Sequence, residues 1–207
     1  MNLRRRADIR TGYPFRSRLE HDPAGNVVVI QMKDIDDASL LHPENAIKVS
    51  LPEGKERHLL RTGDLVFRSR GRTNSVALVA EGMGAAVLAA PMLLIRPHDI
   101  LPAYLNWYLN TPDTQATLAT MSEGTSVRMI SKDALQALDV PVPGMARQRQ
   151  IVEIASLAQQ EQAIAAEIAA HRKRLADGLL MRAAKNTRRE PGKGGDDGAE
   201  TPPSPIP

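Results

Sequence analysis

The sequence predicts an α/β (α+β) protein: a mixed-sheet domain, then one long coiled-coil-type α-helix, then a disordered C-terminal tail. Three observations carry this prediction. Residues 1–147 hold short β-branched and apolar runs separated by Pro and Gly turns. Residues 148–185 contain no proline and one glycine and are dense in Ala, Gln, Glu, Ile, Leu and Arg. Residues 186–207 are rich in Gly and Pro and lack the apolar side chains to build a core.

The elements of the first region follow in order. Val27-Val28-Val29-Ile30 reads as a strand launched by the turn Asp22-Pro23-Ala24-Gly25-Asn26. Leu65-Val66-Phe67 follows Thr62-Gly63-Asp64, and Val76-Ala77-Leu78-Val79 follows Arg70-Gly71-Arg72-Thr73-Asn74. Between Glu81 and Ala86 a Gly-rich stretch predicts a hairpin or bulge. Leu93-Leu94-Ile95 predicts a strand that stops before Pro97. Pro102 to Met121 has helical spacing at Leu105, Tyr108, Leu109 and Leu118, with a break at Thr111-Pro112-Asp113. Ser131-Lys132-Asp133-Ala134-Leu135 predicts a capped helical turn, and Val140-Pro141-Val142-Pro143 an extended exit. A sheet so punctuated by Pro and Gly does not suit a doubly wound nucleotide fold.

The second region predicts a helix of about 38 residues, roughly 57 Å long. Ile151, Ile154, Leu157, Ile164, Ile168, Leu175 and Leu179 are its apolar positions, and from Leu157 the spacing is a heptad seam with Glu161 and His171 as polar intruders. A surface helix of a globular domain is one reading. The favoured one is pairing along the seam, within a dimer or with another subunit, because long single helices gain most of their stability from packing. Its own domain is expected to cover the first turns alone.

Composition excludes several function classes. With no cysteine in 207 residues there are no disulfides, thiolate nucleophiles or iron–sulfur ligands. A core of about 140 residues buries about two-thirds of its chain surface and folds without such staples. No apolar run approaches a membrane span. The basic Met1–Arg6 start has no apolar segment after it, so a signal peptide is not expected and a cytoplasmic location is. The five histidines never share helical i, i+3 or i, i+4 spacing, so no metal pair is encoded. Asp34, Asp36 and Asp37 read as a solvated turn, since no Glu-x-Lys follows to complete a metal nuclease site. Glu81-Gly82-Met83-Gly84-Ala85-Ala86 lacks the following helix that a dinucleotide or S-adenosylmethionine loop needs. Neither a nucleophile elbow nor a P-loop is present. The expectation is a non-enzyme without cofactor or metal.

Net charge is +3, so a nucleic-acid surface must come from local clustering. Arg68-Ser69-Arg70-Gly71-Arg72-Thr73-Asn74-Ser75 supplies it on a strand-to-strand loop. Arginine can fork onto guanine O6/N7 and asparagine can bracket adenine N6/N7. Ser122-Glu123-Gly124-Thr125-Ser126-Val127-Arg128 offers small donors and one guanidinium. The candidate DNA-contacting residues are therefore Arg68, Arg70, Arg72 and Asn74, with Thr125 and Arg128 second. Each loop alone reads more often as a solvated turn than as a contact surface. Aromatic residues make up 3% of the chain, which disfavours single-strand stacking, so duplex reading is preferred.

The order of motifs adds a resemblance. Arg10-Thr11-Gly12-Tyr13-Pro14-Phe15 is followed by Val29-Ile30-Gln31-Met32-Lys33-Asp34-Ile35. Then come Leu60-Arg61-Thr62-Gly63-Asp64-Leu65-Val66-Phe67-Arg68-Ser69-Arg70-Gly71, a helix with Leu101-Pro102-Ala103-Tyr104-Leu105, and Gly124-Thr125-Ser126-Val127. Leu138-Asp139-Val140-Pro141-Val142-Pro143 and Arg147-Gln148-Arg149-Gln150-Ile151 lead into the long helix. Over about residues 3–180 the series resembles the specificity subunit of type I restriction-modification systems. The family commonly shows Pro-Pro-x-x-Glu-Gln at the hinge, where this chain has Pro143-Gly144-Met145-Ala146-Arg147-Gln148.

The resemblance implies a DNA target-recognition domain over 1–147, a dimerisation or spacer helix over 148–185 and a tail over 186–207. Specificity subunits usually carry two such domains and two antiparallel helices, so one domain and one helix imply a half-subunit. A homodimer through the helix would rebuild the full arrangement on a two-fold target. The implied partners are double-stranded DNA, a methyltransferase (modification) subunit and, in some assemblies, a restriction subunit. The alternative is an adaptor that docks on a restriction-modification complex through its helix without reading DNA.

Overall fold

The computed structural model describes residues 1–15, 18–36, 38–52, 54–71, 74–123 and 128–186. Its contacts divide the chain into two compact units, Met1–Leu157 and Ala158–Pro207.

The first unit has two sheets. One contains β1 (Ala7–Thr11), β4 (Leu65–Phe67), β5 (Val76–Leu78) and β7 (Leu93–Pro97), in the order β1-β7-β4-β5 and antiparallel throughout. The other contains β2 (Val27–Ile30), β3 (Ile47–Val49) and β6 (Ala86–Leu88), in the order β3-β2-β6, with β2 and β6 parallel. Four helices follow: α1 (Pro102–Leu109), α2 (Pro112–Thr120), α3 (Lys132–Ala137) and α4 (Met145–Asn186).

Strand alternation makes the four-stranded sheet the middle layer. Leu65, Phe67, Leu93 and Ile95 point into a core shared with Tyr104, Leu105, Leu109, Leu118 and Leu135 of α1–α3. Val66, Ala77 and Leu94, on the opposite face, share a second core with Ile30, Ala86 and Leu88 of the smaller sheet. Val27, Val29, Val87 and Ala89 form a third cluster on the far side of that sheet. Runs buried on both faces read as continuous apolar stretches, which is why β2, β4, β5 and β7 were legible in the sequence.

Three expectations need correction. β5 and β6 lie in different sheets, so the Gly82–Gly84 segment carries the chain from one sheet to the other and is not a hairpin. Both glycines have positive φ, 81° and 73°, a conformation that glycine adopts without steric cost. β7 runs through Pro97, opposite Ala7, beyond the stretch where β4 needs its amide. Asp34 is buried, not solvated, and accepts the Gln31 N–H at 2.8 Å to close a short capping turn.

Asp37 lies outside the described residues, but Asp36 is held. The His42 ring meets Asp36 Oδ2 at 2.9 Å through Nε2 and Glu44 Oε1 at 3.0 Å through Nδ1. These bonds, Asp36 first, raise the His42 pKa above the ordinary imidazole value. The same histidine and the Leu40 N–H lower that of Asp36. A neutral ring has one N–H and serves one carboxylate; the cation serves both. The stabilisation is full below the unfolded imidazole pKa and is lost as pH rises through the raised value. We expect the thermal midpoint to fall as pH rises from below the ordinary imidazole value through the raised His42 value, and His42→Ala to flatten that part of the profile. Parallel profiles for the two proteins would contradict the assignment.

The start of α4 is clamped to the domain by a buried amide. Gln148 is 1% exposed. Its Oε1 accepts the Leu101 N–H at 2.8 Å and its Nε2 donates to the Pro143 carbonyl at 2.7 Å. Ile151 and Val152 pack half-buried beside it, so the domain covers the first turns of α4. Gln148→Ala removes both partners from buried backbone groups and should cost about 1–3 kcal/mol in denaturant unfolding. A stability equal to wild type would mean that water replaces both bonds. In the second unit the described residues are helical to Asn186, and Ile164, Ile168 and Leu175 are exposed. The expected tail lies outside the described residues.

Candidate nucleic-acid interface

The arginine-rich segment is the loop that joins β4 to β5. Those strands pair Leu65 with Leu78 and Phe67 with Val76, and the Arg68 N–H donates to the Ser75 carbonyl at 2.9 Å. β5 would be a bare edge, but the Asn110 side chain covers it: Nδ2 donates to the Val76 carbonyl at 2.8 Å and Oδ1 accepts the Val76 N–H at 3.2 Å. At the loop base, Asn74 Nδ2 donates to the Arg68 carbonyl at 3.1 Å, and Gln115 Nε2 to the Asn74 carbonyl at 3.1 Å. Asn74 thus positions the loop with one of its amide hydrogens. Ser69 is buried, and its hydroxyl donates to the Pro91 carbonyl at 2.7 Å.

The second candidate segment lies against the first. Glu123 and Met129 exchange N–H···O bonds of 2.9 Å in both directions. Met129 also bridges Arg70, the Gly71 N–H donates to the Arg128 carbonyl at 3.3 Å and the Ile130 N–H to the Ser69 carbonyl at 2.8 Å. Backbone pairing therefore zips residues 69–71 to residues 128–130. Two segments about sixty residues apart in sequence form one surface.

Arg68, Arg70 and Arg128 come together on this surface. Arg70 and Arg128 are exposed and Arg68 is half-buried. Among the described residues none of the three is in an ion pair. Arg68 Nε is buried and has no hydrogen-bond partner among the described residues, an arrangement that is costly for a buried donor. Arg72 and Thr125 lie outside the described residues. Of the seam candidates, Ile151 faces its own domain at half burial. Ile154, Leu157, Ile164, Ile168 and Leu175 are 47–66% exposed.

Sequence reasoning missed Ser69, Gln115 and Asn110, which act through backbone groups far away in the chain. It also missed the ion pair behind the loop. Asp64 is 2% exposed and takes the Arg96 guanidinium through two bonds of 2.7 Å, fixing the turn before β4 to β7. The Gly-Asp step in the sequence was its one visible trace.

No protein-family model matches the sequence, and no curated protein does. Solved structures do match. One is a chain from a structure of the type I R-M system concerned with complex assembly and conformational transition, at 24% identity and a TM-score of 0.68, covering 88% of this chain and 44% of that one. Another is the HsdS subunit from Thermoanaerobacter tengcongensis, at 23% identity and a TM-score of 0.58, covering 78% and 37%.

The chain has the fold of a type I specificity subunit.

The S subunit of the type I restriction-modification system from M. genitalium shares that fold at 12% identity, with a TM-score of 0.53 over 84% of this chain and 42% of that one. The chain spans less than half the length of each of these three chains. Among the described residues, no group of three or more His, Asp or Glu side chains could hold a metal ion. No helix there is long and apolar enough to cross a membrane.

Proposed function

We propose that this protein is the sequence-reading subunit of a type I restriction-modification system. Residues 1–147 recognise duplex DNA and direct a methyltransferase subunit, and in some assemblies a restriction subunit, to the target. The observation that carries the reading is the zipped pair of loops, which brings the segments of Arg68, Arg70 and Arg128 together, with no ion pair to any of the three among the described residues. The specificity-subunit fold supports it. In this reading the chain performs no catalysis, and the methylation chemistry belongs to the partner.

We assign α4 the role of spacer and pairing helix, with two copies joined along Ile154, Leu157, Ile164, Ile168 and Leu175. The exposure of that heptad-spaced seam supports the assignment. Two copies related by a two-fold axis would read a symmetric, bipartite target.

The test is methylation. Co-expressed with a methyltransferase subunit that it binds, the protein should bring about modification of one defined sequence wherever that sequence occurs in the host DNA. Association with the methyltransferase but no sequence-defined methylation would contradict the reading and mark the chain as an adaptor.

A further inference from the structure

A cleft of about 540 Å³ is lined by none of the recognition residues. The segments that line it converge on one stretch of chain. The Tyr13 N–H donates to the Leu88 carbonyl at 2.6 Å, the Ala90 N–H to the Tyr13 carbonyl at 3.0 Å, and the Ala89 N–H to the Ile30 carbonyl at 2.9 Å. Phe15, Leu19, Gln31, Lys33 and Ala90 are among the residues that line it. Among the described residues that line it, Arg18 and Lys33 are the charged ones, and none is acidic. Both are exposed, and neither is in an ion pair with a described residue. Two free cations and an amide beside the apolar surfaces of Phe15 and Leu19 suit a phosphate attached to a sugar.

The cleft is tied to the base of the first loop through the chain. Ala90 lines it, and the next residue, Pro91, accepts the hydroxyl hydrogen of Ser69 at 2.7 Å, between Arg68 and Arg70. We infer that this cleft binds the sugar–phosphate backbone of the duplex next to the bases the loops read, with Arg18 and Lys33 as the phosphate contacts. The inference rests on the DNA-reading function proposed above. Contacts of this kind set register and affinity and carry no sequence information.

The experiment measures duplex binding by the full-length protein assembled with its methyltransferase subunit across a salt series. Target and scrambled duplexes are compared for wild type and for the Arg18→Ala, Lys33→Ala double variant. The double variant should flatten the slope of log K against log salt by about 1.8, at about 0.9 per lost phosphate contact. It should weaken both duplexes by the same factor and leave their ratio unchanged. Charge reversal, Arg18→Glu with Lys33→Glu, should weaken binding further. All four substitutions are at exposed positions, and an unchanged thermal midpoint confirms folding. A wild type that binds duplex alongside a double variant of unaltered slope overturns the cleft alone. So does a changed sequence ratio at constant slope. A wild-type complex that binds no duplex overturns the recognition function itself, and the cleft with it.

Discussion

Asp64→Ala should destabilise the protein by about 3 kcal/mol, the low end of the range for breaking a buried ion pair, and lower the thermal midpoint by on the order of 10 °C. The carboxylate is 2% exposed and the Arg96 side chain 17%, so the guanidinium it leaves behind is largely cut off from water. The low end is appropriate because Arg96 retains that exposure and its bond to the Leu59 carbonyl at 3.2 Å. Asp64 Oδ2 also accepts the Arg61 N–H at 2.8 Å, so the turn that launches β4 loses its cap in the same step. Asp64→Asn keeps an acceptor but loses the charge, and should fall between wild type and alanine. Replacing both partners with apolar residues, Asp64→Leu with Arg96→Met, should recover most of the loss, because no unpaired charge remains. Equal stability of wild type and Asp64→Ala in denaturant unfolding would show that the pair contributes nothing net.

The second large effect is on recognition. Alanine at Arg68, Arg70 and Arg128 together should reduce target binding at least 100-fold and bring it close to the affinity for unrelated duplex. A bidentate arginine–guanine contact discriminates by about 1–3 kcal/mol, so two such contacts among the three are sufficient for an effect of about this size. Folding should be spared, because the zipper between the loops consists of backbone bonds from Gly71, Met129 and Ile130, which these substitutions leave intact. Single variants separate the roles. One that relaxes sequence preference marks a base contact, and one that weakens all duplexes alike marks a phosphate contact. The measurement is competition binding by the assembled complex, and an unchanged ratio of target to unrelated duplex in the triple variant would remove the loops from the interface.

What the sequence revealed of this fold follows from burial. Leu65-Val66-Phe67 and Leu93-Leu94-Ile95 have apolar neighbours on both faces, so they read as strands without any knowledge of their partners. β1 and β3 did not, since each offers two apolar positions, Ala7 with Ile9 and Ile47 with Val49. The partner of β1, reached at Ala7 opposite Pro97, lies far along the chain. The hairpin expected after β5 failed for a packing reason. Ala77 and Val79 face Ala86 and Leu88 across one core, so the two strands stack in different layers instead of pairing. Asp34 looked solvated because a lone acidic run carries no sign of a cap three residues back.

The candidate site was legible as residue types and not as an arrangement. Arg68, Arg70 and Arg128 stood out by chemistry. Their juxtaposition depends on backbone bonds between residues 69–71 and 128–130, and backbone groups are the same at every position, so no side-chain pattern announces them. Gln148 was visible within the hinge resemblance, although its contact with Leu101 was not. The seam of α4 was legible by its period alone, and Ile154, Leu157, Ile164, Ile168 and Leu175 remain exposed.

The most direct test of the loop surface as a reader of duplex DNA is selection from a random pool. The protein, assembled with its methyltransferase subunit, is incubated with duplexes of random sequence, and those retained are sequenced over several rounds. One bipartite sequence should dominate, and the Arg68, Arg70, Arg128 triple-alanine variant should enrich none. A wild-type pool that stays random, or a triple variant that selects the same sequence as wild type, would contradict it.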